Sequence, residues 1–249
     1  DVTRLSLPVD DQFDIESAEV TRAVFFGLGA DGTVSSNKAA IRIIGGATDL
    51  WCQGHFVYDS KKSGGTTVSH LRFGPHPIRS TYQIRHAGFV AVHDPGFIDR
   101  LDVLEIADVG ATILINTSVP QEQVWDSLPI EAQQVLADRQ CRLFAIDAYA
   151  IADAHGLSRR INTIMSTCFF ALAGVLPRDE AIAAVKQSVA DTWGKRGPEI
   201  VRRNVEAIDA TLAQLHEIQR GGVTATRRRR PAVGAGAPDF VANVTRLLL

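Results

Sequence analysis

Cysteine is scarce in this sequence. Cys52, Cys141 and Cys168 are odd in number, scattered and never in a C-x-x-C pair. That spacing argues against a zinc site or an iron–sulfur cluster held by this chain and for reduced, mostly buried thiols in a cytoplasmic setting. The histidines form no H-x-x-x-H or H-E-x-x-H pair, so no ligated metal is expected. No apolar run approaches the roughly 20 residues of a spanning helix, and the N-terminus lacks a signal-peptide pattern, so no membrane partner is expected. An excess of one charge is also missing. At a net −2 the chain has no global field to draw nucleic acid or an anionic membrane. No G-K-[ST] closes a phosphate loop, no G-x-S-x-G makes a nucleophile elbow, and no Ser-His-Asp set can be assembled.

What is present suits a globular protein. With 249 residues, 45% hydrophobic and 22% charged, the chain can bury a real core as one large domain or two modest ones. Residues 1–20 are polar and acidic and read as an extended lead-in. A strand is expected at Arg22–Phe26, a helix over Thr33–Ile44, a second strand near Leu50–Val57 and a third in "TTVSHLRF". "PIRSTYQI" is a further extended candidate. "AGFVAVH", "GATILIN" and "CRLFAIDA" are apolar runs bounded by turn signals, the pattern of parallel strands buried on both faces. From Arg160 onward the spacing is helical: "RINTIMSTCFFALAGVLP", "RDEAIAAVKQSVADTW" and "GPEIVRRNVEAIDATLAQLHEI". The expected fold is therefore α/β, a mostly parallel sheet flanked by helices, with a helical C-terminal part. Residues 219–249, with four consecutive arginines, read as a solvated linker leading toward a following domain.

The chemistry starts at "FFGLGADGTVSSNKAA". Gly27, Gly29 and Gly32 hold G-x-G-x-x-G spacing between a strand and a helix. Amides and dipole at such a helix start attract anions, and Thr33 adds a hydroxyl. A turn that only packs strand on helix gives the same pattern. An NAD site needs an acid at the exit of the second strand. Asp49 lies at the strand's wrong end, and Asp59 is followed by Lys61 and Lys62. The lysine pair suits an extra phosphate on an adenosine ribose, as in NADP or coenzyme A; a solvated hairpin tip is the plain alternative. Ala30-Asp31-Gly32 lacks the first glycine of the G-D-G in thiamine diphosphate sites, and no asparagine follows at the required separation. In "HGLSRRINTIM", Ser158 is placed to cap a helix whose first turn carries Arg159, Arg160 and Asn162 as donors for a phosphate or carbonyl. Arg72 and Arg79 read as surface ion-pair residues or phosphate partners.

Together "GLGADGTVSSNKAAIRIIG", "DLWCQGHFVYDSKKSGGTTVSHLRFG", "PIRSTYQI" and "GLSRRINTIMSTCFFALAGVLP" resemble the third, gamma-type domain of the pyruvate:ferredoxin/flavodoxin oxidoreductases, within the 2-oxoacid:acceptor oxidoreductase family. The similarity runs from about Ala23 to about Ile218, and "APDFV" resembles the passage to the next domain. The resemblance implies a Rossmann-like domain over 21–218 of a cytoplasmic, homo-oligomeric enzyme. That enzyme would convert pyruvate and coenzyme A to acetyl-CoA and carbon dioxide. Thiamine diphosphate and [4Fe–4S] clusters would lie in other domains or subunits and pass electrons to ferredoxin or flavodoxin. Coenzyme A is the ligand implied here, with no catalytic residue and no metal in this chain. The resemblance places Asp31, Gly32 and Thr33 at the ligand on the Gly27–Gly29 turn. It sets Lys61 and Lys62 on the nucleotide phosphates and has Arg160 and Asn162 complete the pocket. Ala30 departs from the serine common in the family. An NADP-binding dehydrogenase domain and a purely structural assembly domain are the rival functions.

Overall fold

The computed structural model describes residues 10, 13–60, 64–158 and 160–247. Seven strands form one sheet: β1 (Thr21–Leu28), β2 (Trp51–Tyr58), β3 (Thr66–Gly74), β4 (Ala87–Val92), β5 (Ala107–Asn116), β6 (Arg142–Ile146) and β7 (His216–Ile218). The helices are α1 (Thr33–Ala47), α2 (Gly96–Arg100), α3 (Val124–Ser127), α4 (Ile130–Asp138), α5 (Ala148–Ala154), α6 (Asn162–Leu172), α7 (Arg178–Trp193), α8 (Pro198–Gln214) and α9 (Asp239–Asn243). The sheet order is β2-β3-β1-β4-β5-β6-β7. β1, β4, β5 and β6 pair in parallel, whereas β3 and β7 run against their neighbours.

The three apolar runs become the buried parallel strands. Successive side chains of a strand face opposite ways. Phe25, Phe89, Ala91, Leu114 and Phe144 accordingly face α1 and α5–α8, while Val24, Val90, Val92, Ile113 and Leu143 face α2–α4. α6 lies nearly all in the core, because an all-round apolar helix has no face to offer water. Its Phe169 ring meets Phe25 and Phe89 at 5.2 Å each and Phe170 at 5.3 Å, tilted edge to face as aromatic quadrupoles prefer.

Two segments expected as strand or helix depart from that expectation. "PIRSTYQI" is not a strand. It crosses the polar face of β3, where side chains instead of a ladder satisfy its backbone. Arg72 donates to the Tyr82 carbonyl at 2.9 Å, Gln53 to that of Ser80 at 2.7 Å, and the Ile84 N–H donates to His70 Nδ1 at 3.3 Å. Arg72 is thus no surface residue. Its guanidinium is fully buried, ion-paired to Glu16 of the lead-in and bonded to Gln53. The end of the last helical run is also extended: α8 stops at Gln214, and β7 pairs with the open side of β6 so that Ile218 is buried.

Residues 220–230 do not hang free. The buried Gln133 side chain accepts the N–H groups of Thr224 and Ala225 at 3.0 Å each, and Trp125 donates to the Gly222 carbonyl at 3.0 Å. Arg227, Arg228 and Arg229 pair with Asp99, Glu131 and Asp102. Three of the four consecutive arginines therefore meet acids of the same chain. No described helix is long and apolar enough to cross a membrane.

Candidate functional site

The glycine turn sits where β1 hands over to α1. Ala30 (φ 76°) and Gly32 (φ 92°) are both left-handed, a conformation Gly32 adopts freely and Ala30 does not. Gly27 has no room for a side chain: a Cβ there would lie 2.3 Å from Thr33 Oγ1. Gly29 joins the turn to the β2–β3 hairpin, donating to the Gly65 carbonyl at 2.7 Å and accepting from the Gly64 N–H at 3.2 Å. The turn and the hairpin are therefore one unit.

Between them opens a cleft of about 590 Å³, lined by Gly29, Asp31, Gly32, Val34, Ser35, Tyr58, Asp59 and Thr67 among others. The Asp31 carboxylate accepts from the N–H groups of Leu28 and Thr33, both at 2.7 Å. A carboxylate thus already occupies part of the positive end of α1. Thr33 is buried and points away from the cleft, its Oγ1 bonded to His93 Nδ1 at 2.7 Å. Burial pushes the His93 pKa down against a smaller upward pull from Asp31. The ring is therefore neutral at physiological pH. Asn116 donates to the His93 carbonyl at 2.9 Å and accepts from the Ala148 N–H, tying the ends of β4 and β5 beneath the turn.

Of the residues named from sequence, Gly29, Asp31 and Gly32 line the cleft, whereas Gly27 and Thr33 pack against each other and do not line it. Asn162, the first residue of α6, backs onto the turn: a Cβ on Gly32 would lie 3.0 Å from its Cβ, and its carbonyl accepts from Ser36 Oγ at 3.1 Å. Lys61 and Lys62 lie outside the described residues, as does Arg159. Asp59, Ser60, Gly64 and Gly65 bracket the lysine pair. Ser158 does not cap α6; it is itself left-handed (φ 50°), and Ile161 holds the cap position with no side-chain bond. Arg160 stands exposed, over the Trp193 ring at 5.9 Å from its centre.

Sequence reasoning missed His93 and the Asp31 cap. The first follows a strand that reads as plain core, and only tertiary pairing brings it to Thr33. The second had a visible signal, an Asp two residues before a helix start. Among the described residues no group of three metal-ligating side chains converges, and the three cysteines are free. Burial raises the thiol pKa of each.

The family of pyruvate ferredoxin/flavodoxin oxidoreductases matches residues 22–214. Pyruvate-flavodoxin oxidoreductase of Rhodospirillum rubrum is 52% identical over all of this chain, which covers 21% of that protein. Pyruvate:ferredoxin oxidoreductase of Moorella thermoacetica is 42% identical over 99% of the chain, again 21% of the relative. The chain thus spans about a fifth of the length of these relatives. In three dimensions it resembles a pyruvate oxidoreductase subunit of Thermotoga maritima, with TM-score 0.64 and 15% identity over 81% of this chain and 99% of that one. It also resembles 2-oxoglutarate:ferredoxin oxidoreductase of Magnetococcus marinus, solved with 2-oxoglutarate, coenzyme A and succinyl-CoA bound. There the TM-score is 0.60 at 16% identity, over 86% of this chain and 33% of that one. On the match across 22–214 and the full-length identity to the Rhodospirillum protein, this chain belongs to the pyruvate ferredoxin/flavodoxin oxidoreductase family.

Proposed function

We propose that this chain is the coenzyme A-holding module of a pyruvate oxidoreductase, presenting the carrier's thiol to an acyl intermediate formed in another domain. In that enzyme thiamine diphosphate and [4Fe–4S] clusters carry the decarboxylation and electron steps outside this chain. Ferredoxin or flavodoxin accepts the electrons, and the assembled enzyme is a cytoplasmic homo-oligomer. The module's contribution is positional, since holding the thiol turns a bimolecular transfer into an effectively intramolecular one.

The observation that carries this is the cleft of about 590 Å³ between the glycine turn and the hairpin that bears Lys61 and Lys62. It has the size of a ligand pocket, and Gly29 joins both walls. A purely packing role for the turn is at odds with that open space. An NADP site is disfavoured because β3 separates β2 from β1, whereas a dinucleotide unit pairs those strands directly.

The test is Lys61→Ala/Lys62→Ala in the full-length enzyme. KM for coenzyme A should rise about tenfold, the scale of one or two lost charge-assisted bonds, while KM for pyruvate holds. An unchanged KM for coenzyme A sinks the proposal. Nicotinamide fluorescence on mixing with NADPH would restore the dehydrogenase alternative.

A further inference from the structure

At the end of β1 away from the glycine turn, two cations stand directly opposite each other. Arg22 on β1 and Arg72 on β3 are register partners, and like charges so placed repel. The lead-in relieves them: Asp14 turns in to pair with Arg22 and Glu16 to pair with Arg72. The residues beside these acids point the other way. Phe13 is 72% and Ile15 65% exposed. A segment meant for water does the reverse, with its acids out and its apolar side chains in.

Two more exposed rings border the same spot. Tyr82, 38% exposed, lies over the Arg72 guanidinium at 5.2 Å. Trp51, 53% exposed, shares its face of β2 with Gln53, which accepts from Arg72 at 3.1 Å. Four of the eight large apolar side chains exposed among the described residues thus gather around one buried guanidinium. Scattered singly they would need no explanation, but gathered they have the aromatic-rich make-up of an interface core. The sheet is open on this side too. β2 is its outer strand, and Trp51–Tyr58 carries no proline, lysine, arginine or acid, the residues that guard an edge against pairing.

We propose that the lead-in, Tyr82 and the Trp51 end of β2 form a docking face for another domain of the oxidoreductase. That domain brings apolar side chains to Phe13, Ile15, Trp51 and Tyr82 and basic groups to the acids around them. The chain covers 21% of the Rhodospirillum relative, so about four-fifths of such an enzyme lies outside it and needs a surface to pack on. A second copy of this chain fits the face less well. Residues 10–20 hold five acids and no basic residue, with Arg22 and Arg72 beneath to offset two of them. A two-fold contact sets a patch against itself and would oppose the remaining acids across the interface. The proposal rests on family membership and not on the carrier function. The length of β1, roughly 20 Å, separates this face from the glycine turn.

The experiment uses the full-length oxidoreductase and begins with Ile15→Cys, a change at an exposed position that leaves the ion pairs in place. The rate of maleimide addition is read by mass spectrometry on the peptide carrying position 15. A docked face should slow it at least about tenfold relative to glutathione under the same conditions. A rate near that of glutathione means open surface and overturns the proposal. Photo-cross-linking then identifies the cover, with p-benzoylphenylalanine substituted at Ile15 or, separately, at Trp51. Cross-links to peptides from outside this 249-residue stretch are expected. Cross-links to the same face of a second copy, or none from either position, overturn the domain partner. KM for coenzyme A is not part of either readout, so loss of the carrier function would leave this face standing, and the reverse.

Discussion

Gly27 illustrates how one missing methyl group shapes the site. Its hydrogen lies where a Cβ would stand 2.3 Å from Thr33 Oγ1 and 2.9 Å from the Asp31 carboxylate. Gly27→Ala must push out the first turn of α1, with its link to His93 and the Asp31 cap. Overpacking of this kind costs about 1–3 kcal/mol, read as a lower urea midpoint, together with weaker ligand binding. The G-x-G-x-x-G spacing was legible in the sequence because the turn is local. What Thr33 does was not. Its hydroxyl reads as a ligand donor, and only the distant His93 turns it inward. Arg72 misleads in the same way: an arginine in an alternating strand suggests solvent, yet Glu16 lies 56 residues upstream in sequence to neutralise it.

Among elements, the buried parallel strands and α1 were readable from composition and periodicity, since each is decided within about ten residues. β7 was not, because its three residues continue a helical pattern and become strand only where β6 offers an unpaired edge. The segment 220–230 was the larger surprise. Composition marks it as linker, but Gln133 fixes its backbone and Asp99, Asp102 and Glu131 face its arginines. A run of four arginines is an inviting target for trypsin, so the docking can be read directly. The native chain should resist cleavage at 227–230. The combined Asp99→Asn, Asp102→Asn, Glu131→Gln variant should be cut at least several-fold faster, and raised salt should move the native chain the same way. Equal cleavage rates would show that the ion pairs do not hold the segment.

The whole molecule carries a pH signature from its buried imidazoles. Burial, with smaller contributions from His55 and Arg72, pushes the His70 pKa down to about 4, and burial lowers that of His93 too. An unfolded histidine titrates near 6.5. Above that pH both states are neutral and the full stability is present. As pH falls from about 6.5 toward 4, the unfolded chain binds protons that the folded chain refuses, so stability declines. The urea midpoint should be flat from pH 8 to 7 and fall steadily from pH 6.5 to 4.5. His70→Gln should flatten part of that slope, and an unaltered slope would assign the loss to other groups.

The strand inserted between β1 and β2 has a practical consequence for protein engineers. Neighbouring strands sit about 4.8 Å apart, so the exit of β2 stands roughly 10 Å from β1 instead of roughly 5. The acid already present at Asp59 stands a full strand short of a nicotinamide dinucleotide seated on the glycine bend. Cofactor-swapping recipes developed on dehydrogenases should therefore fail on this scaffold.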